Sequence, residues 1–492
     1  MRSRWIFTLA VGAVLSGCAP GSPLREALRQ SSPYERYAES LRDAELDETA
    51  LGRDWLAAGD SVLMTATPVD LPLRETGYLS PDDPAARAWR FSLSQGRRLV
   101  IDVETIAADP FYVYLDLFEL RGDPPELKLV ASADQGAVHL AFEPERTGTF
   151  VLRLQPELLR GGRFTITQNT TATLTFPIEG RKGGSIASSF GDPRDGREHQ
   201  GIDIFAPRGT RVVAAAEGWV SSARTNNLGG NVVWIRTMRG QSHYYAHLDE
   251  HLVPPGTHVR AGEPIGTVGN TGNARTTAPH LHFGIYRLGS GPIDPFPFVF
   301  TGTARPAPVT ADTDALGSWR RVTSPVRLRA GPALTAPIVH DLPHDTVVRI
   351  EGAVQDWYRV QLPDGTPGFV SERLTKSTDQ PVRTLRTGAV QLLDHPTATA
   401  APIADLEAQR LLPVLGRFDD FLFVRTPDGR EGWIQLSFAR VNLAGRIVYS
   451  VGTRRFSSSV QFRTMLNCLG ARKPDTSSPV TMMNLVPSGW MS

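Results

Sequence analysis

The stretch A-P-H-L-H-F-G-I-Y, residues 278–286, decides how the middle of this chain folds. β-Prone residues follow two histidines spaced two apart, which predicts a strand with both rings on one face and their roots about 7 Å apart. His280 and His282 therefore project together. Upstream, H-Q-G-I-D (199–203) sets His199 and Asp203 four apart. That spacing suits a helix, but Gly201 and the following I-D-I-F predict a loop entering a strand. Gly201 would let the backbone bend enough to bring the longer His and the shorter Asp to one point. One more histidine, His247, stands in H-Y-Y-A-H-L (243–248).

Imidazole nitrogens and a carboxylate oxygen are ligands that zinc binds in a tetrahedron at about 2.0–2.2 Å. A catalytic zinc keeps three protein ligands and a fourth position for water, whereas a structural zinc closes all four. Five candidates for three positions therefore read as one Zn2+ per chain with two spare imidazoles, the equipment of a hydrolase. Seven of the eleven histidines fall between 199 and 282; His243, His251 and His258 among them read as solvated or structural.

The context is extended: S-S-F-G-D-P-R (188–194), A-P-R-G-T (206–210), G-G-N-V-V-W-I (229–235) and V-R-A-G-E-P-I-G-T-V-G-N-T-G-N (259–273) frame these motifs. With them, residues 177–300 closely resemble the lysostaphin-type (LytM-like) zinc metallopeptidases, peptidoglycan endopeptidases with a compact antiparallel β fold. The resemblance implies His199, Asp203 and His282 as metal ligands and His247 and His280 as the catalytic pair. One position departs from it. Many relatives continue H-L-H-F with Glu or Gln, where this chain has Gly284, so an altered contact in the cleft is expected.

Outward from this centre, 492 residues are too many for one core, and 45 Gly and 38 Pro spread along the chain suit a mainly β, multidomain protein. A net charge of +1, with 48 scattered Arg against 4 Lys, argues against a nucleic-acid partner. At the start, Arg2 and Arg4 precede the short apolar run 5–15 and then Ser16-Gly17-Cys18. This reads as a signal peptide over 1–17, and L-S-G-C resembles a bacterial lipobox. The resemblance implies lipidation of Cys18, an exported chain held on a membrane, and, with Ala19 following, the outer membrane facing the periplasm if the cell is Gram-negative. Cys468 is then left without a partner cysteine and reads as a small buried hydrophobe.

Residues 18–60 carry the anchor and one or two short amphipathic helices. From 61 to 176, short runs such as W-R-F-S-L-S, L-V-I-D-V and F-V-L-R-L predict a β-sandwich, resembling the jelly-roll pre-peptidase modules. The Pro-, Ala- and Thr-rich segment 301–318 reads as a linker. Beyond it, D-W-Y-R-V-Q-L-P-D-G-T-P-G-F-V (356–370) repeats as D-F-L-F-V-R-T-P-D-G-R-E-G-W-I (420–434) at an offset of 64. Two small barrels resembling bacterial SH3 domains follow, 319–376 and a degenerate 380–439 whose opening has become V-Q-L-L-D-H-P. Such domains commonly bind wall material, so peptidoglycan is the implied partner. The tail 440–492 shows no periodicity, and oligomeric state is not legible. The leading expectation is a membrane-anchored zinc endopeptidase cutting peptide cross-links of peptidoglycan. The alternative is a non-enzymatic relative that binds wall and activates amidases, and a general secreted protease is a third reading.

Overall fold

A computed structural model describes residues 31–436 apart from 108, 195, 301, 303, 304 and 409. The expected signal peptide, Cys18, Cys468 and the tail lie outside the described residues. The helical segment consists of Pro33–Asp43 and Ala50–Met64. Ser32 and Glu35 form a reciprocal capping box before Pro33, which starts the first helix cleanly. Tyr34, Ala38 and Leu41 then share one face, packed with Trp55 and Tyr114 against the sandwich. The second helix runs to Met64, past the expected boundary at 60. No helix among the described residues is long and apolar enough to cross a membrane.

Strict alternation builds the sandwich. In Arg97–Ile106, Leu99, Ile101 and Val103 are buried between more exposed neighbours, which is the mark of a half-buried strand. One sheet runs in the order Thr67–Pro68, Arg87–Leu93, Gly148–Pro156, Val113–Arg121, Glu126–Ser132. The other sheet holds Leu73–Leu79, Gly162–Ala172, Arg97–Ile106 and His139–Phe142. Trp89, Leu117, Leu152, Phe164 and Ile166 fill the space between them.

This second sheet does not stop at the sandwich. Leu73–Leu79 pairs antiparallel with Val347–Val354 of the first SH3-like domain, with Gly77 opposite Gly352. A Cβ on Gly352 would sit 2.9 Å from Glu75 Oε1, so the crossing needs a bare backbone. Behind it, Arg359 Nε and Nη2 donate to the Glu75 carboxylate at 2.6 and 2.8 Å, and Trp89 Nε1 donates to the same group at 2.7 Å. The peptidase-like region is thus spliced between two segments that close on each other.

The second copy repeats the first strand for strand. Trp319–Val322, Val326–Arg329, Val347–Val354 and Trp357–Gln361 recur as Arg383–Arg386, Val390–Leu393, Leu411–Phe418 and Phe421–Arg425, each at the repeat offset. The fold therefore persists through V-Q-L-L-D-H-P, where the sequence likeness fades. Each copy docks the same face on the unit before it. Trp357 and Phe369 of the first pack on the sandwich core. Their equivalents Phe421 and Trp433, with Phe423 in place of Arg359, enter the core of the first copy beside Trp319. Gly416, the counterpart of Gly352, again lies at the crossing, where a Cβ would meet the Asp345 carbonyl at 2.7 Å. Among the described residues the pairings give open sheets rather than closed barrels.

The expected linker, 301–318, is not one from Thr310 onward. The Thr310 and Ala311 N–H groups donate to the Gln355 carbonyl, and Ala311 and Ala315 are buried in the first SH3-like core. Short Ala side chains that fit a linker composition fit a tight core equally well.

Candidate metal centre and cleft

The peptidase-like sheet places His280–Arg287 between Ile202–Phe205 and Gln241–His251, antiparallel to both. Register does the assembling: Asp203 lies directly opposite His282, and Ala246 opposite His282 on the other side. Directly opposed residues share a face, so the carboxylate and the ring meet. His199 arrives from the preceding loop. Its Nε2 is 3.1 Å from Asp203 Oδ1 and 2.9 Å from His282 Nδ1, and His282 Nδ1 is 3.0 Å from the same oxygen. H-Q-G-I-D is indeed a loop entering a strand, but Gly201 serves space instead of bending. Its φ is outside the left-handed region, and an added Cβ would lie 2.5 Å from the Phe283 carbonyl and 2.8 Å from the His282 ring.

The hydrogen bonds around this triangle fix which atoms are free. His199 Nδ1 is 2.8 Å from the Ser189 carbonyl, which can only accept, so the proton sits on Nδ1 and Nε2 presents a lone pair. Burial pushes the Asp203 carboxyl up, but the His199 and His282 rings outweigh it and hold the group well below the usual carboxylate range. Burial also pushes the His282 ring down, against the pull of Asp203. A lone pair, a second imidazole nitrogen and a carboxylate thus converge with edges of 2.9–3.1 Å. Tetrahedral zinc with bonds of about 2.0–2.2 Å asks for edges of roughly 3.3–3.6 Å. The donor set fits that ion, with edges shorter by about half an ångström.

His247 reaches the cleft through a backbone irregularity. His243 and Tyr245 on the same strand are fully buried in the core, and simple alternation would send His247 after them. A register shift between Asn231 and Val233 on the neighbouring strand marks a bulge here, and His247 takes φ +62°. Bulges re-aim side chains beside active sites, and this one turns the imidazole outward. Its Nδ1 donates to the Thr271 carbonyl at 2.9 Å, as His280 Nδ1 does to Ala278 at 2.9 Å, leaving Nε2 free on both rings. The rings lie 5.0 Å apart, and His247 is 6.0 Å from the His282 ring. Burial, then the neighbouring histidines, push His247 down to about 4, so the ring is neutral at neutral pH.

These five side chains line one cleft of about 490 Å³, walled by Arg194, Phe205, Leu228, Tyr244 and Tyr286. Every lining residue comes from 187–286, so neither the sandwich nor the SH3-like copies cover it. The two tyrosines and Arg194 were not singled out from sequence. Tyr244 reaches the cleft through register: it lies two residues before Ala246, the residue paired with His282, and its ring stands 5.8 Å from that ring. Gly284 is opposite Tyr244, and a Cβ there would press on the Tyr286 ring at 3.0 Å, so the departure at this position makes room for the aromatic wall. Of the remaining histidines, His243 is core, packed on Phe283, and His258 sits outside beside Trp219 and Glu217.

Residues 197–295 match the model of Peptidase family M23, and residues 324–376 match the bacterial SH3 domain. The chain is similar to the peptidoglycan DD-endopeptidase ShyC of Vibrio cholerae, 42% identical over 118 residues, which is 23% of this chain and 26% of that protein. It is also similar to the L-Ala--D-Glu endopeptidase of Bacillus subtilis, 37% identical over 122 residues, 23% of this chain and 37% of that protein. Among solved structures it is similar to the catalytic domain of lysostaphin from Staphylococcus simulans, 35% identical with a TM-score of 0.22, covering 23% of this chain and 89% of that one. The chain spans about a quarter of the length of the first curated relatives it matches.

Proposed function

We propose, from the premise that this chain carries a peptidase family M23 domain followed by a bacterial SH3 domain, that it is a zinc endopeptidase of peptidoglycan cross-links. The observation that carries this reading is the triangle of His199, Asp203 and His282 beside two rings with free Nε2 atoms. When bound there, zinc would polarise the scissile carbonyl and lower the pKa of water. The chain's own residues handle the proton. His247, held neutral by burial, accepts it at Nε2 from the attacking water; once protonated, that nitrogen donates it to the leaving amine. His280, 5.0 Å away, has its Nδ1–H taken by the Ala278 carbonyl, so its Nε2 donates to the developing oxyanion only when the ring carries a second proton. Tyr244 and Tyr286 give the peptide an apolar wall.

All five positions of the leading reading are filled and face one cleft, which weighs against a purely non-enzymatic amidase activator. Location follows the same proposal: a lipid on Cys18 tethers the chain to a membrane, and the SH3-like copies hold it near wall through surfaces other than their stacked faces. Purified peptidoglycan, incubated with wild type and His199→Ala with and without chelator, tests the chemistry by chromatography of fragments. New cross-link products from wild type alone, lost with chelator, support it. Wild type that binds zinc yet releases none overturns it. Incorporation of labelled palmitate into wild type but not Cys18→Ala tests the anchor.

A further inference from the structure

S-S-F-G-D-P-R (188–194) supplies no metal ligand, yet it holds two of them. The Ser189 carbonyl fixes the His199 tautomer. From the short hairpin of Pro193–Arg194 with Arg197–Glu198, Arg194 Nη2 donates to Asp203 Oδ2 at 2.6 Å and to Ser188 Oγ at 2.7 Å. Ser188 in turn donates to Asp192 Oδ2 at 3.0 Å, which also accepts the Ser189 N–H at 2.7 Å. This chain of bonds ends on the one carboxylate oxygen that faces neither histidine. Oδ1 is the atom shared by His199 and His282.

Resting on the metal reading above, we infer that Arg194 is a positioning residue: it reserves Oδ2 and presents Asp203 to the cation through Oδ1 alone. A guanidinium–carboxylate bond of 2.6 Å lies at the short end for charge-assisted contacts. Turning the carboxylate to offer both oxygens would break it. Two effects of Arg194 on cation binding have opposite signs. Its charge repels a second cation nearby, so simple loss of charge would tighten binding. Its hydrogen bond preorganises the ligand, and loss of such support costs about 10- to 100-fold in metal affinity. The direction of change therefore separates positioning from bulk electrostatics. Arg197, exposed and paired with Arg194 across the hairpin, makes no hydrogen bond to Asp203 among the described residues and reports charge alone.

The test uses the full chain, stripped of metal, as wild type, Arg194→Gln, Arg194→Lys and Arg197→Gln. Zn2+ affinity is read by competition with a chromophoric chelator. Co2+ alone is read by its visible bands, which fade as coordination number rises. The expected result is binding weakened about 10- to 100-fold in Arg194→Gln with fading of the cobalt bands, a smaller loss in Arg194→Lys, which keeps a point charge without the fork, and unchanged or tighter binding in Arg197→Gln. Unchanged or tighter zinc binding in Arg194→Gln, with the wild-type cobalt spectrum, overturns the positioning role. Wild type that binds neither ion overturns the metal reading and this inference with it. Should Arg194→Gln fail to fold, Arg194→Lys decides: native near-UV circular dichroism with weakened zinc binding supports the role, and unchanged affinity and spectrum overturn it.

Discussion

Two of the regions that bury charged side chains do so to opposite ends. At the junction of sandwich and first SH3-like copy, Glu75 meets Arg359 and Trp89, so every charged oxygen faces a donor. Arg359 also donates to Thr67 Oγ1 at 2.6 Å. In the cleft, His199 Nε2, His282 Nδ1 and Asp203 Oδ1 face one another across about 3 Å with a lone pair fixed on the first. The first cluster is complete without anything added. The second gathers three atoms on one point, the set that a cation could take up. Burial and charge look alike in both; donor–acceptor balance tells a brace from a site.

Substitutions can break this contrast, and the largest effect is expected in the cleft. His199→Ala should reduce bound zinc, measured by atomic emission, and cross-link hydrolysis to background while leaving the urea midpoint nearly unchanged. A large fall in midpoint instead would make the triangle a brace too. His247→Gln should keep full zinc content yet lower kcat about 10²- to 10⁴-fold, as followed by fragment release. At the junction the expectation reverses. Arg359→Met strands a buried carboxylate and should cost about 3–5 kcal/mol in urea unfolding, with specific activity of the folded fraction retained. Adding Glu75→Gln, which still accepts from Trp89, should return most of that loss.

The smallest effect concerns His243, which burial pushes down to about 4 from an ordinary value of 6.5. A base depressed in the folded state favours its neutral form there. Its contribution is therefore whole above pH 6.5 and is lost as pH falls towards 4. His243→Phe should flatten this limb of the unfolding midpoint against pH; an unchanged limb would assign it elsewhere.

What was legible in the sequence follows the range of the physics involved. H-L-H was readable because period two is local, and so was the loop character of H-Q-G-I-D. The opposition of Asp203 and His282 depends on strand register, which no local pattern states. His247 was placed from resemblance; alternation alone would have buried it with His243 and Tyr245, because a bulge leaves no mark in composition. Arg194 stood inside a quoted motif, yet nothing in its spacing says which carboxylate it meets. The second SH3-like copy looked degenerate because V-Q-L-L-D-H-P lacks the two arginines and the glycine of V-R-L-R-A-G-P (326–332), whereas the strand needs only buried Val390 and Leu392. Nothing in the sequence around Gly77 or Gly352 states that the two strands cross there, and that crossing splices the sandwich to the first SH3-like copy.

That splice has a consequence in time. Glu75 and Arg359 are 284 residues apart in sequence. At about 5–20 residues per second of synthesis, the arginine emerges roughly 15 to 60 seconds after the glutamate. Throughout that interval the Leu73–Leu79 edge stands open on a nascent sandwich, as an unpaired strand that can pair with the wrong neighbour. Everything in the cleft lies between these two residues in sequence, so the peptidase-like unit is complete before the frame around it can be locked.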